Sequence, residues 1–155
     1  MKQYGIKHVD SLFEKFRLHG EPVQNFEFFS RAWDECAELQ CTPKQDWIGR
    51  NLLSLQALDR YEIAIVRQGE FIGGLILAED FWDVHVGPCM SVFAQYVLPE
   101  YRNTGVSAAC MRAALRIARK AGAPTLAFTH RKGPWRYETV YRSLHEATQD
   151  RHQRH

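Results

Sequence analysis

A chain of 155 residues, 45% hydrophobic and 25% charged, with nine Phe, six Tyr and four Trp, suits one packed domain and excludes a largely disordered polymer. Charges interrupt every apolar run before it could span a bilayer, and the first eight residues lead into no targeting segment, so the expected setting is cytoplasmic, with no membrane partner. The formal charge of +2 is unevenly divided: residues 112–155 carry ten Lys or Arg against three acids, and residues 1–111 carry ten against fifteen. That basic half suits an anionic ligand or a solvated helix face equally, and no base-reading motif makes it a nucleic-acid footprint.

In chain order, residues 3–9 have the composition of a first strand. Ser11-Leu12-Phe13-Glu14 has the spacing of a capping box and predicts a helix running toward Gly20. Phe26, Phe29, Trp33 and Cys36 recur at helical spacing and predict a second helix over 24–39. Thr42-Pro43-Lys44-Gln45 offers a hydroxyl cap, a proline that lacks only an N–H the first turn does not use, and a reciprocal Gln, so a third helix is expected to about Leu58.

At Tyr61 the pattern changes to strands. Residues 61–67 and 71–77 read as a hairpin joined by Gln68-Gly69-Glu70, with Gly73 and Gly74 at close-packing or bulge positions. A polar and aromatic loop containing Asp80, Trp82, Asp83 and His85 is followed by a strand over 90–97 that stops at Pro99. A helix over 106–120, stopped by Gly122, leads to a strand over 124–129 and a last helix over 137–145. Strand, helix, strand in succession implies at least one crossover in a mixed α/β or α+β sheet. The four cysteines have neither a secretory framework nor zinc-site spacing, so free thiols and no metal are expected.

One turn concentrates chemistry. Arg102-Asn103-Thr104-Gly105-Val106-Ser107 follows a strand and opens the long helix, where unpaired backbone N–H groups converge on a point suited to phosphate oxygens. Gly105 permits close approach, Ser107 adds a hydroxyl and Arg102 adds charge at the entrance. By itself this is a generic anion nest, matched almost equally by a structural turn with a surface arginine.

Residues 97–107 with 111–121 resemble motif A of the GNAT superfamily of acyl-CoA-dependent N-acyltransferases: Arg or Gln, two variable residues, Gly, one variable residue, then Gly or Ala. Arg102, Gly105 and Val106 fit, and Ser107 stands in the last place. The resemblance implies a mostly antiparallel central sheet with helices on both faces and an abbreviated C-terminus. It divides a single domain, 1–155, into a variable helical cover over 1–60, a core over 61–145 and a frayed tail over 146–155. It also implies acetyl-CoA or another short-chain acyl-CoA as cosubstrate, with its pyrophosphate on the amides of Arg102, Asn103, Thr104, Gly105, Val106 and Ser107, and its pantetheine along the main chain of Val97 and Leu98. Residues 138–144 resemble the family's last conserved helix, which makes Tyr141 the acid that protonates the departing thiolate.

For the general base the candidates are His130, Asp83 and His85, with Glu27 and Asp34 weaker; each also suits a purely structural role. The acceptor implied is an amine on a small molecule or a protein, or more narrowly an amine on modified DNA, as in virus-encoded members working in a host cytoplasm. After Leu144 the family's usual Gly-Phe and further strands give way to His145-Glu146-Ala147, so a second copy in a homodimer is one way to complete the sheet edge. The competing reading is a catalytically inactive domain that binds coenzyme A or a protein partner.

Overall fold

A computed structural model describes residues 11–24 and 27–144. Six strands lie in one sheet in chain order, antiparallel throughout except for the fourth and fifth. Helices cover both faces, so the architecture is the expected mixed α/β class.

The first strand, β1 (Ser11–Arg17), pairs with β2 (Arg60–Arg67) from Ser11↔Val66 to Arg17↔Arg60. This corrects the helix expected from the capping-box spacing. All seven of its residues pair with β2, and the two faces of the strand engage different partners: Glu14 reaches Arg116, and Arg17 reaches Glu62. The strand expected over 3–9 falls outside the described residues.

Helix α1 (Glu27–Glu35) is shorter than expected and buries Phe28 and Phe29. Phe29 stacks edge-on against Trp47 of α2 (Lys44–Gln56). The cap of α2 differs from expectation too. Pro43 is the N-cap residue, with no side-chain cap bond, and Thr42 is extended before it. At its C-terminal end the helix stops at Gln56, where Arg60 donates to Leu55 O at 3.2 Å and Leu58 O at 3.3 Å. Arg60 is fully buried and shares the buried Glu62 with Arg17, which also lies 4.0 Å from the more exposed Glu21.

The β2–β3 hairpin turns on Gln68 (φ 51) and Gly69 (φ 78), whose paired positive φ values match the right-handed twist of its strands. β3 (Glu70–Asp83) is longer than expected, because the polar segment read as a loop continues the strand through an irregularity between Ala78 and Phe81, with Asp80 at φ 51. Its partner β4 (Gly87–Val97) therefore starts earlier than expected. Gly74 sits where a Cβ would lie 2.3 Å from Ile63 O, a main-chain atom that cannot rotate away. Gly74→Ala is expected to cost about 3 kcal/mol and lower Tm by roughly 10 °C in a chain of this size. Circular-dichroism melting checks this; a shift under about 2 °C refutes the close approach.

Helix α3 (Val106–Lys120) spans the expected residues and joins β4 to β5 (Thr125–Gly133), the parallel pair. Its small buried residues Ala109, Ala113, Ala114 and Ala118 let the helix axis approach the sheet. At its start Val106 meets Gly73, where a Cβ would be only 2.9 Å from the valine Cγ1. The opposite face carries α1, with Phe28 edge-on to Tyr96.

The last element is β6 (Arg136–Ser143), antiparallel to β5, where a helix was expected. Tyr137, Thr139, Val140 and Tyr141 are β-branched or aromatic and suit a pleated surface. The turn through Gly133 and Trp135 (φ 60) brings the segment back along β5.

Candidate active site

The parallel pairing of β4 and β5 covers only Met90↔Leu126, Ser91↔Ala127 and Val92↔Phe128. Beyond it β4 runs on to Val97 and β5 to Gly133 without pairing, leaving a wedge about 17 Å long between them. Between Ile76 and Leu77 the β3–β4 register slips, making Phe93 an extra residue, a bulge at the apex of this wedge.

Hydrogen-bond parity decides which β4 groups line the wedge. Leu98 N–H donates to Ile72 O at 2.9 Å, and Gly73 faces Val97 across the ladder. Tyr96 and Leu98 therefore direct their main-chain bonds to β3, while Gln95 and Val97 turn theirs to the open edge. Of the two residues expected to hold an extended ligand by main-chain atoms, Val97 presents its N–H there and Leu98 does not. Val97 O accepts from Arg102 Nε at 3.0 Å.

The wedge ends at the turn leading into α3. Asn103 (φ 62) and Gly105 (φ 94) take left-handed conformations, and the Thr104 hydroxyl donates to Tyr101 O. Among the described residues no side chain caps α3, and the first α3 ladder bond is Ala109 N–H to Gly105 O at 3.0 Å. The amides of Val106, Ser107 and Ala108 therefore have no intrahelical acceptor. The Val106 side chain belongs to the core, so this residue brings only its amide to the site. Gln95 Nε2 donates to Ser107 Oγ at 3.0 Å and so joins the open β4 edge to the helix mouth. Arg102 is engaged elsewhere than the entrance: its Nη2 lies 2.7 Å from Glu35 Oε2, and its guanidinium is 5.6 Å from the Tyr96 ring centroid.

Three of the four expected catalytic residues come together on the face opposite α3. Tyr141 Oη donates to Asp83 Oδ2 at 3.0 Å, Asp83 Oδ1 accepts from the amides of His85 at 2.7 Å and Val86 at 3.3 Å, and the His85 and Tyr141 rings are 6.3 Å apart. The His85 amide bond, with help from Tyr141, holds the Asp83 carboxyl below its ordinary range; desolvation and the Asp83 carboxylate raise the Tyr141 phenol. Tyr141 pairs with Ala127, whose β4 neighbour Ser91 lies one residue before the end of the parallel pairing, and its phenol meets Asp83. It does so from a strand, not the expected helix. His130 is separated from the group: it shares the α3-side face with Leu126 and Phe128, and its ring packs against Phe128 at 4.9 Å. Asp34 pairs with Lys44 at 2.8 Å, and Glu27 lies in the first turn of α1.

Two clusters around the wedge were not anticipated. Glu35 accepts from Tyr96 Oη and Arg102, and Glu38 accepts from Arg131 and Tyr137. Burial raises the Glu35 pKa, but the bonds from Tyr96 and Arg102 outweigh it and the net shift is downward. The Arg131 bond holds Glu38 at about 2, while desolvation and Glu38 push Tyr137 up to about 12. These partners are separated by 61 to 99 residues, so no local spacing announces them.

Elsewhere, an open groove of about 260 Å³ is lined by residues including Glu79, Asp80, Trp82, Cys89 and Ala121. It adjoins the far end of α3, about 22 Å along the helix from the mouth. All four cysteines carry free thiols. Among the described residues no group of three or more metal-ligating side chains assembles, and no helix is long and apolar enough to cross a membrane.

The sheet is thus split between its parallel strands, with the mouth of α3 at the open end. The Acetyltransferase (GNAT) family profile matches residues 24–133, and the chain belongs to that family. Among solved structures, a GNAT family acetyltransferase from Brucella melitensis in complex with acetyl-CoA superposes with a TM-score of 0.57 at 12% identity, covering 84% of this chain and 87% of the other. The PaiA N-acetyltransferase of Thermoplasma acidophilum, in complex with coenzyme A, gives 0.56 at 16% identity, covering 79% and 82%. A ribosomal-protein-alanine N-acetyltransferase from Brucella melitensis biovar Abortus gives 0.53 at 15%, covering 79% and 82%. At these identities the likeness is one of fold. No curated protein matches the chain.

Proposed function

We propose that the protein transfers an acetyl group from acetyl-CoA directly to a primary amine. The observation that carries this reading is the alignment of two sets of free main-chain donors, the open β4 edge at Gln95 and Val97 and the uncapped amides at the mouth of α3. The diphosphate belongs on the amides of the 103–108 segment, where the helix dipole also favours negative charge. From there the pantetheine arm runs down the β4 edge toward the Phe93 bulge, bringing the thioester to the apex of the wedge.

In the reaction the amine nitrogen bonds to the thioester carbon and the carbon–sulfur bond breaks. The sulfur takes a proton, and the nitrogen loses one. Tyr141, whose backbone lies beside the last parallel pairs of β4 and β5, is assigned the acid role. His85, whose ring lies 6.3 Å from that of Tyr141 on the same face, is assigned the role of taking the amine proton. His130, on the other face, is not assigned a role. Main-chain N–H groups on the open β4 edge supply donors for the charge that develops on the thioester oxygen.

Release of free coenzyme A thiol with a panel of small amines, protein amino termini and amine-bearing DNA tests the activity and separates the acceptor classes. For Tyr141→Phe, kcat is expected to fall about 100- to 1,000-fold with the KM for acetyl-CoA unchanged. Unchanged turnover would reject the acid role. A second reading, coenzyme A binding without catalysis, draws on β6 standing where the resemblance implied a helix; binding without thiol release across the whole panel would favour it.

A further inference from the structure

The wedge between β4 and β5 has no ladder bonds to set its width, so something else must fix how far the β5–β6 hairpin stands from β4. Residues 35–38 run from one side to the other. Glu35 bonds to Tyr96 on β4 and to Arg102 in the turn, and Glu38 bonds to Arg131 on β5, with Nη2 to Oε2 at 3.0 Å, and to Tyr137 Oη on β6 at 2.7 Å. Among the described residues, every side-chain hydrogen bond or ion pair joining 129–139 to the rest of the molecule ends on Glu38; the others are internal, between Thr129 and Thr139 and between Lys132 and Glu138.

The connecting segment is itself held. Cys36 N–H donates to Ala32 O, and Leu39 N–H to Cys36 O. Gln40 Nε2 ties back to the carbonyls of Trp33 and Asp34, and Trp33 Nε1 donates to Thr42 O. The Glu38 side chain is 5% exposed, so water competes little for its carboxylate.

We propose that residues 35–38 form a strap across the donor cleft, with Glu38 as the positioning residue that clasps the β5–β6 hairpin at the spread required for coenzyme A. This rests on the donor reading above and adds to it the element that sets the cleft's width. Cutting the strap at Glu38 leaves the sheet core and the α3 mouth intact but lets the hairpin swing. The effect therefore falls on donor affinity and on the hairpin's protection, and little on the chemical step.

The test uses the full chain with Glu38→Gln, Arg131→Gln and the double variant, with folding checked by thermal melting. Coenzyme A binding by calorimetry is expected to weaken about tenfold in each single variant, with the double variant no weaker than either, as for two residues acting as one unit. The KM for acetyl-CoA rises in parallel while kcat stays within about twofold. In the ligand-free protein, amide hydrogen exchange should quicken over 129–139 and stay unchanged in α3 and the β2–β3 hairpin. Single variants that bind like wild type, additive effects in the double variant, or exchange unaltered in the hairpin would each overturn the strap. A wild-type protein that binds no coenzyme A would instead sink the donor reading; bound wild type with unaltered variants sinks only the strap.

Discussion

Glu62→Ala is expected to be the most destabilising single change in the sheet, costing about 3–5 kcal/mol and lowering Tm by roughly 10–15 °C. The side chains of Arg17, Arg60 and Glu62 are 9%, 0% and 4% exposed, so none relies on water. Glu62 Oε2 accepts from Arg17 Nε at 2.9 Å and lies 3.8 Å from Arg60 Nη2, and Oε1 accepts the Gln24 amide at 3.1 Å. Removing the carboxylate strands the Arg60 guanidinium in a dry site, leaves Arg17 with only the half-exposed Glu21 at 4.0 Å, and orphans a backbone donor.

Arg60 cannot turn outward to compensate, because it also holds the carbonyls of Leu55 and Leu58 at the end of α2 and that of Glu21, and its Nε has no partner among the described residues. Taking out one whole pair should hurt less than taking out its anion: Arg17→Met with Glu62→Leu removes one charge of each sign and fills the space with carbon. Thermal and urea melts of the single and double variants check the order. A single variant within about 3 °C of wild type, or a double variant worse than the single, would show that the cluster is wetter than its burial indicates.

The boundaries of α3 were readable because every signal agreed: alanines at close-packing positions, basic residues toward the end, and Gly105 and Gly122 outside it. The β2–β3 hairpin was readable for the same reason, with alternating apolar residues on either side of Gln68-Gly69. Residues 11–17 misled because a capping-box spacing is a four-residue coincidence. What settles that segment is the ladder to residues 60–66, together with Glu14 and Arg17 meeting partners 102 and 45 residues away.

Residues 136–143 misled too. Their β-branched and aromatic residues suit a strand, but a helix over 137–145 was expected from the chain's own pattern as well as from the resemblance of 138–144 to the family's last helix. The turn at 102–107 was visible because an anion nest is local. Its surroundings were not, since Arg102 is taken up by Glu35, 67 residues earlier, and Glu38 meets Arg131 and Tyr137 from 93 and 99 residues away. Asp83 and His85 share one polar segment of the sequence, but only the β3–β4 and β5–β6 hairpins together bring Tyr141 to them.

Replacing Gly105 separates the charge at the α3 mouth from its backbone shape. Gly105 has φ 94 and ψ −4, a left-handed conformation that costs most residues about 1–2 kcal/mol but that Asn and Asp enter more readily. Gly105→Asn and Gly105→Asp add side chains of nearly the same size, so both should fold with a similar small loss of Tm. They differ in sign of interaction with a bound diphosphate. A carboxylate about 4 Å from a negative phosphate oxygen is repelled by about 4 kcal/mol at an effective dielectric of about 20, before any relaxation away from it. The expected result is coenzyme A binding weakened about tenfold or less by Asn and at least about a hundredfold by Asp, with the gap narrowing as salt is raised. Calorimetry at low and high ionic strength reads this directly. Equal affinities for the two variants would mean that the diphosphate does not rest on the amides that open α3, whatever else the cleft holds.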